Sequence, residues 1–311
     1  MSDAVPGIHH VTFVAGDPER NLDFYTEVLG LRLVKKTVNF DDPSTYHLYY
    51  GDEVGSPGTI LTFFPFGEGR SGRSGRGQAT ATRLAVPEGS LAYWREHLAD
   101  RGVDHEPLDG RDGLAVYDPD GQRLELVAGS NDGIEPWDGG SVPAEHAIQG
   151  VESVTLHPTD PEATEEVLEE LGYERREDDG DRIRFEAPGD RSTGIEVRTD
   201  DAPAGTGGPG TVHHVAFRTA DDESQDDWRE RLTTMGQRVT PRKDRQYFRS
   251  IYFREPGGIL FEIATDGPGF DRDEPVDALG EELKLPDWLE DDRERIERSL
   301  APLEDGPAEV R

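Results

Sequence analysis

The stretches GIHHVTFVAGD, residues 7–17, and GTVHHVAFRTAD, residues 210–221, are two copies of one pattern. Both contain His-His-Val-x-Phe, and in both an Asp follows four residues after the Phe. A helical pattern comes next in each copy, over residues 18–29 and residues 222–235, and a glycine follows it. Repetition of a whole strand-and-helix unit predicts a fold assembled from several such units.

Two weaker copies of the unit lie between the first and the last. Each has an apolar strand, a helical pattern and a closing strand, over residues 79–86, 90–101 and 122–128 in one copy and residues 151–157, 161–171 and 194–198 in the other. Apolar residues that alternate with period two indicate strands, and a period near 3.6 indicates helices. The sequence therefore predicts an α+β fold of four β-α-β-β-β modules.

The modules divide the chain into three predicted parts. Residues 1–140 hold one pair of modules, residues 145–266 hold the other pair, and a segment rich in Gly, Pro and Asp over residues 130–145 links them. Residues 267–311 form an acidic tail. We expect an amphipathic helix of the tail to pack on the body, because apolar residues recur on one helical face: Leu289, Ile296 and Leu300.

The composition limits the partners and the surroundings of the protein. It has 66 acidic and 33 basic side chains, a net charge of -33 and a pI near 4.5. Such a surface repels phosphate backbones, so we expect no nucleic-acid partner. A run of about 18 apolar residues and a signal-peptide pattern are both absent, so we expect a soluble cytoplasmic protein without membrane association. Repulsion among the acidic side chains is screened at molar salt. We therefore expect the protein to come from a halophilic organism.

The chain has no cysteine, so a metal would have to be bound by His, Asp or Glu. In a regular strand, neighbouring side chains point to opposite faces, so His10 and His9 are expected on different faces, as are His214 and His213. A histidine at a strand end is usually a structural residue. The same pair in the same place of two repeats argues for a functional one.

A carboxylate completes a plausible metal site. Glu262 is the one acid in the apolar run GGILFEIA, residues 257–264, where an ionised carboxylate is costly unless it is paired or binds a cation. Two imidazoles and one carboxylate form the facial triad typical of Fe(II) oxygenases, with open positions for substrate and dioxygen. We therefore predict His10, His214 and Glu262 as metal ligands.

Glu125 is the alternative carboxylate. When the modules are aligned, Thr82 and Ser153 lie roughly where histidines would be needed beside Glu125, and neither residue type binds such metals well. We therefore expect modules one and four to form the metal pocket and modules two and three to be structural.

Five stretches of the chain resemble one known family: GIHHVTFVAGD, YHLYYGDEVGSPGTILTFFPF, GTVHHVAF, DRQYFRSIYFREPGGILFEIATD and LPDWLEDDRERIERSLAPL. With paired β-α-β-β-β modules, they resemble the vicinal oxygen chelate superfamily, which includes glyoxalase I, bleomycin-resistance proteins and extradiol dioxygenases. Within it the chain is similar to ring-cleaving dioxygenases of the hydroquinone type. The resemblance implies two open, barrel-like mixed sheets.

The resemblance also implies a chemistry and a set of site residues. It implies Fe(II), O2 as co-substrate and a small para-dihydroxylated aromatic substrate, and its iron ligands fall on the same three residues. Mn(II) uses the same ligand set and stays open, as does a homo-oligomer. The family's groups near the metal and substrate fall on five further positions, with His9, His213, Arg245 and Tyr252 as catalytic residues and Thr12, Arg245 and Tyr252 as substrate-binding residues.

Three other functions remain open at this point. An extradiol catechol dioxygenase would use the same ligand types, but usually takes all of them from the C-terminal pair of modules. A glyoxalase-type enzyme would need a fourth protein ligand around Zn or Ni. A metal-free resistance protein that binds an aromatic toxin would not need the ligands at all.

Overall fold

The computed structural model describes residues 4–67, 69–129 and 133–303. The predicted linker over residues 130–145 therefore begins outside the described residues, and the predicted tail over residues 267–311 ends outside them. The division at residues 140 and 145 stays a prediction.

Sixteen strands are present in the described part of the chain. In chain order they are β1 Ile8–Ala15, β2 Arg32–Asn39, β3 Asp42–Gly51, β4 Ile60–Pro65, β5 Gln78–Val86, β6 His105–Pro107, β7 Gly113–Tyr117, β8 Arg123–Ala128, β9 Val151–His157, β10 Glu174–Asp178, β11 Arg182–Glu186, β12 Gly194–Arg198, β13 Thr211–Thr219, β14 Lys243–Asp244, β15 Arg249–Arg254 and β16 Leu260–Thr265. The α-helices are α1 Pro18–Asp23, α2 Leu91–Asp100, α3 Pro161–Glu170, α4 Asp222–Thr234, α5 Asp287–Glu290 and α6 Arg293–Ser299.

The strands form two eight-stranded mixed sheets. The first has the order β14-β15-β16-β13-β1-β4-β3-β2 and contains modules one and four. The second has the order β10-β11-β12-β9-β5-β8-β7-β6 and contains modules two and three. An antiparallel pair joins the modules of each sheet, β1 with β13 and β5 with β9. The predicted α+β fold of four modules in two mixed sheets is confirmed.

The Asp that recurs after the histidine motif caps a helix in both copies. The carboxylate of Asp17 accepts a hydrogen bond from the Arg20 backbone N–H at 2.9 Å, and Asp221 accepts one from Ser224 at the same distance. Such caps stabilise helix starts by about 1 kcal/mol. The helix after Asp17 is α-helical only to Asp23 and continues as a π-helical turn over Phe24–Val28.

The C-terminal segment lies against the first sheet. Ile296 of α6 is buried with Val38 of β2 and Leu285, and Leu289 and Leu300 pack at the edge of this cluster. Farther along β2, the ammonium of Lys35 is fully buried and pairs with two acids of the segment, Asp273 and Glu274. The segment therefore supports the strands that carry one wall of the candidate site.

A membrane-spanning helix was not found among the described residues, since none of their helices combines enough length with enough apolar character.

Candidate metal centre

Three buried side chains meet inside the first sheet. His10 on β1, His214 on β13 and Glu262 on β16 have ligand atoms that all lie within 4.8 Å of one another. The Oε2 atom of Glu262 lies 2.8 Å from His214 Nε2 and 3.5 Å from His10 Nε2. The two Nε2 atoms are 3.3 Å apart. The structure thus brings the three predicted ligands together, although 204 residues separate the two histidines.

Strand register explains this convergence. His10 pairs with Ala216 across the antiparallel β1–β13 ladder, and Ala216 pairs with Glu262 across the parallel β13–β16 ladder. His10 and Glu262 therefore lie in one row across three strands and project from the same face. His214 is two residues from Ala216, so it shares that face as well.

His9 and His213 do not point away from the centre, as a regular strand would require. The β1–β13 ladder shifts between Ile8 and His10 and skips His213 on the other strand, so His9 and His213 are the extra residues of two β-bulges. Their Nδ1 atoms lie 2.9 Å from His10 Nδ1 and 2.7 Å from His214 Nδ1. The expectation of opposite faces was wrong, because a bulge breaks the alternation of side chains.

The two bulged histidines fix the rings of their neighbours. To bind a metal, His10 and His214 must each present the lone pair of Nε2. The proton of each ring is then on Nδ1, so His10 donates a hydrogen bond to His9 and His214 donates one to His213. Burial lowers the pKa of His9 and His214 below the ordinary value, and it lowers the pKa of His213 to about 3. These three imidazoles are therefore neutral at physiological pH.

The residues present fit a divalent cation. Glu262 is fully buried, and its Oε1 accepts a hydrogen bond from Ser250 at 2.5 Å. Its Oε2 is buried and has no hydrogen-bond partner among the described residues. A buried carboxylate with one uncompensated oxygen beside two imidazole nitrogens is suited to Fe(II) or Mn(II).

The second sheet has an arginine where the first sheet has this centre. The β5–β9 ladder repeats the register of the β1–β13 ladder. Ala81 pairs with Thr155 in the same way as His10 pairs with Ala216. Arg83 pairs with Ser153 in the same way as Thr12 pairs with His214. The counterpart of His10 is thus Ala81. Thr82, which was expected near this position, is the next residue along the strand.

The guanidinium of Arg83 compensates both acids of the second sheet. Arg83 Nε lies 2.7 Å from Glu125, and its Nη2 lies 3.1 Å from Glu196. All three side chains are nearly inaccessible to solvent. Within the described ranges, Glu125 belongs to no group of His, Asp and Glu that could bind a metal. The alternative metal site around Glu125 therefore lacks both histidines and already has a cation.

A cavity of about 310 Å³ opens onto His10 and His214. Much of its wall is aromatic: Phe40, Tyr49, Phe64, Phe66, Phe248 and Tyr252. His213 and Arg245 also line it. Thr12 is not among the residues that line this cavity. It is fully buried, and its hydroxyl lies 3.1 Å from that of Thr62. The cavity has room for one substituted benzene ring beside the candidate metal centre.

Arg245 and Tyr252 form a polar pair on one wall. The Nε–H of Arg245 donates to the Tyr252 hydroxyl oxygen at 3.1 Å, and its Nη2 lies 2.9 Å from Asp41. Burial raises the pKa of Tyr252 above its ordinary value, so this phenol stays protonated. The wall therefore presents a cation and a neutral hydroxyl to a ligand.

Sequence reasoning missed the residues of the opposite wall. His47 and Tyr49 on β3 line the cavity, and the His47 ring lies 4.2 Å from that of Phe64. Both residues are in the quoted stretch YHLYYGDEVGSPGTILTFFPF, in which His47 and Tyr49 are separated by Leu48. Their spacing of two was the available signal, because it indicates two side chains on one face.

Comparison with known proteins identifies the family. The model of the Glyoxalase/Bleomycin resistance protein/Dioxygenase superfamily matches residues 7–126 and 150–263. The chain belongs to this superfamily. The two matched ranges each contain two of the four modules, and the family resemblance of the sequence is confirmed.

Relatives within the superfamily match nearly the whole chain. MhqO of Bacillus subtilis (strain 168), a candidate ring-cleaving dioxygenase by name, is 45% identical over 307 residues, which are 98% of each chain. The chlorohydroquinone/hydroquinone 1,2-dioxygenase of Sphingobium indicum is 36% identical over 96% of this chain and 97% of its own.

Solved structures of the superfamily share the fold. A crystal structure of a candidate dioxygenase from Bacillus subtilis has a TM-score of 0.95 and 44% identity, and it covers 99% of this chain and 100% of its own. Glyoxalase I from Zea mays has a TM-score of 0.60 at 18% identity, over 84% of this chain and 92% of its own, and shows the fold alone.

Proposed function

We propose that this protein is an Fe(II)-dependent dioxygenase that opens para-dihydroxylated aromatic rings with O2. The observation that carries the proposal is the buried trio of His10, His214 and Glu262 at the base of an aromatic cavity. Bound Fe(II) would supply adjacent positions for a phenolic oxygen and for O2, together with a path for electrons between them.

The side chains of this chain then have separable roles. His10, His214 and Glu262 hold the metal, and His9 and His213 orient the two ligand rings through their Nδ1 contacts. Tyr252 and Arg245, which line the cavity, bind the second oxygen of the ring. The relatives named as ring-cleaving dioxygenases, one of them for hydroquinone, support this substrate class.

One observation disfavours a glyoxalase-type enzyme, which needs a fourth protein ligand. Thr62 pairs with Thr12 on β1 as Glu262 pairs with Ala216 on β13, so Thr62 occupies the position of a second carboxylate. A threonine hydroxyl is a poor ligand for Zn or Ni, which prefer N, S or carboxylate donors. Three protein ligands leave the coordination open, as a dioxygenase requires.

The composition supports a proposal about where the enzyme works. A net charge of -33 with only 33 basic residues is suited to a cytoplasm of high ionic strength, where counter-ions screen the acids. We infer a cytoplasmic enzyme of a halophilic organism.

Oxygen uptake tests the proposed function. Protein loaded with Fe(II) without air is mixed with hydroquinone, catechol or the hemithioacetal of methylglyoxal, and O2 consumption is recorded. We expect one O2 consumed per hydroquinone, and little uptake with the other two compounds. Uptake with catechol alone would favour the extradiol reaction, and isomerisation of the hemithioacetal without O2 would favour a glyoxalase.

A further inference from the structure

The wall formed by β3 carries polar groups that the proposed function leaves without a role. His47 and Tyr49 are two residues apart on this strand, so their side chains project from the same face. Both line the cavity, as do Arg245 and Tyr252, and β3 and β15 lie on opposite sides of the central β1–β13 pair in the first sheet. The wall therefore contains a hydroxyl and an imidazole among its aromatic rings.

These groups belong to a continuous hydrogen-bonded chain. The Tyr49 hydroxyl lies 2.8 Å from His47 Nδ1, and His47 Nε2 lies 2.6 Å from the Thr62 hydroxyl. The Thr62 hydroxyl lies 3.1 Å from that of Thr12. Tyr49, Thr62 and Thr12 are buried. Both ring nitrogens of His47 are therefore engaged, and its ring cannot rotate without breaking two hydrogen bonds.

The protonation states indicate what the chain offers to a ligand. Burial lowers the pKa of His47 well below its ordinary value, and the charge of Arg245 lowers it further. Burial raises the pKa of Tyr49 well above its ordinary value. A neutral imidazole has one donor and one acceptor, so when Tyr49 donates to Nδ1, Nε2–H donates to Thr62. The Tyr49 oxygen then keeps lone pairs for a donor in the cavity.

The opposite wall offers the complementary group. The oxygen of Tyr252 accepts a hydrogen bond from Arg245, so its own hydrogen is available as a donor. Tyr49, Arg245 and Tyr252 all line the cavity, so the three groups face the same space. One wall therefore presents an acceptor and the other a donor.

Resting on the proposed function, we infer that Tyr49 is a further substrate-contacting residue and that His47 is the residue that positions it. Tyr49 accepts a hydrogen bond from the second hydroxyl of a para-diol, while Tyr252 donates one to the same oxygen. A phenolic hydroxyl both donates and accepts, so it satisfies both walls. A ring without that hydroxyl leaves both groups unpaired, and sites built in this way discriminate strongly against such analogues.

Steady-state kinetics of the Fe(II)-loaded enzyme test the inference. Hydroquinone is the substrate, and phenol, which lacks the second hydroxyl, is the competitive inhibitor. We expect Tyr49→Phe to raise KM for hydroquinone about 3- to 10-fold, the effect of one lost neutral hydrogen bond. The inhibition constant of phenol should change much less. Equal changes in both constants, or no change in either, would overturn the inference.

A matched pair of variants tests the positioning role of His47. Thr62→Val removes the acceptor for His47 Nε2, and Thr62→Ser keeps the hydroxyl. We expect Thr62→Val to raise the ratio of the hydroquinone KM to the phenol constant, and Thr62→Ser to restore it. A ratio that is the same in both variants would show that the chain does not act on the substrate. This pair also decides the question if Tyr49→Phe does not fold.

The two proposals can fail separately. A wild-type protein without O2 uptake on hydroquinone contradicts the proposed function itself. A wild-type protein with uptake, whose Tyr49 and Thr62 variants keep the wild-type ratio of the two constants, contradicts only the inference about β3.

Discussion

Glu262 shows how one residue can indicate a bound ion. A fully buried carboxylate is costly unless donors or cations compensate its charge, and Ser250 engages only one of the two oxygens. The other oxygen faces His10 and His214, whose rings are fixed by His9 and His213. A divalent cation between these groups would compensate the remaining charge.

Replacement of one ligand should separate metal binding from folding. His10→Ala removes one of three ligands, so we expect iron to be lost on gel filtration, while the circular dichroism spectrum stays that of the wild type. His105→Ala is the matched control, because His105 lies on β6 in the other sheet. Iron retained by His10→Ala at the wild-type level would contradict the ligand assignment.

The distal hydroxyl contact can be tested at Tyr252. Tyr252→Phe removes one hydroxyl and little volume, so iron content should not change. Turnover of hydroquinone should slow. The corresponding rise in activation free energy should be about 0.5 to 1.5 kcal/mol, the range for one neutral hydrogen bond. If catechol and hydroquinone turnover fall equally, or neither falls, Tyr252 does not bind the distal oxygen.

The strand pairs β1–β13 and β5–β9 have the same arrangement, but the buried glutamates beside them have different partners. Both ladders contain bulges at matching positions, and both face buried glutamates. One pair brings two histidines to its glutamate. The other brings Arg83 between Glu125 and Glu196, so a side chain provides the positive charge that a metal would provide.

The arginine of the second sheet should be essential for stability. Arg83→Met leaves Glu125 and Glu196 buried without their shared partner, so we expect a loss of about 3 to 5 kcal/mol in the free energy of unfolding. Urea denaturation at constant salt measures it. Arg182→Met is the matched control, because Arg182 pairs with the same Glu196 but is 44% exposed, and exposed pairs contribute about 0 to 1 kcal/mol. Equal losses in both variants would contradict the role of Arg83.

The sequence predicted the elements better than their local irregularities. The His-His repeat and the embedded Glu262 were visible as patterns, because strand alternation and helix periodicity follow from local geometry. The bulges at His9 and His213 were not visible, because a bulge depends on the residue that pairs across the ladder. The counterpart of His10 was placed near Thr82, one residue from Ala81, because the second module has no histidine pair by which the two strands could be aligned.

The cavity wall on β3 shows a second limit of sequence reasoning. His47 and Tyr49 are recognisable as two polar residues on one face, but their partners belong to other strands. Which face of β3 borders the cavity depends on how the whole first sheet curls. Their spacing along β3 alone could therefore not assign these residues to the site.

At the scale of the whole molecule, the candidate site joins the two ends of the chain. Modules one and four share the first sheet, although modules two and three lie between them in the sequence. Modules two and three, which form the second sheet, connect modules one and four along the chain. The C-terminal segment packs against β2. The site can therefore form only when the first and last modules have paired.

The net charge should make the stability of the whole molecule depend on salt. Repulsion among the 66 acidic side chains is screened as the Debye length falls from about 10 Å at 0.1 M to about 3 Å at 1 M. We expect the melting temperature to rise steeply with KCl over this range. Sucrose, which is uncharged, is the control for effects other than screening. A melting temperature independent of KCl would refute the halophilic interpretation.

The position of bound iron is the decisive test of the three proposed ligands. Crystals of protein loaded with Fe(II) in the absence of air are measured at the iron absorption edge, and the anomalous map locates the metal. We expect one peak per chain, between His10, His214 and Glu262. A peak beside Glu125, or crystals of iron-loaded protein without a peak at the three predicted ligands, would contradict this expectation.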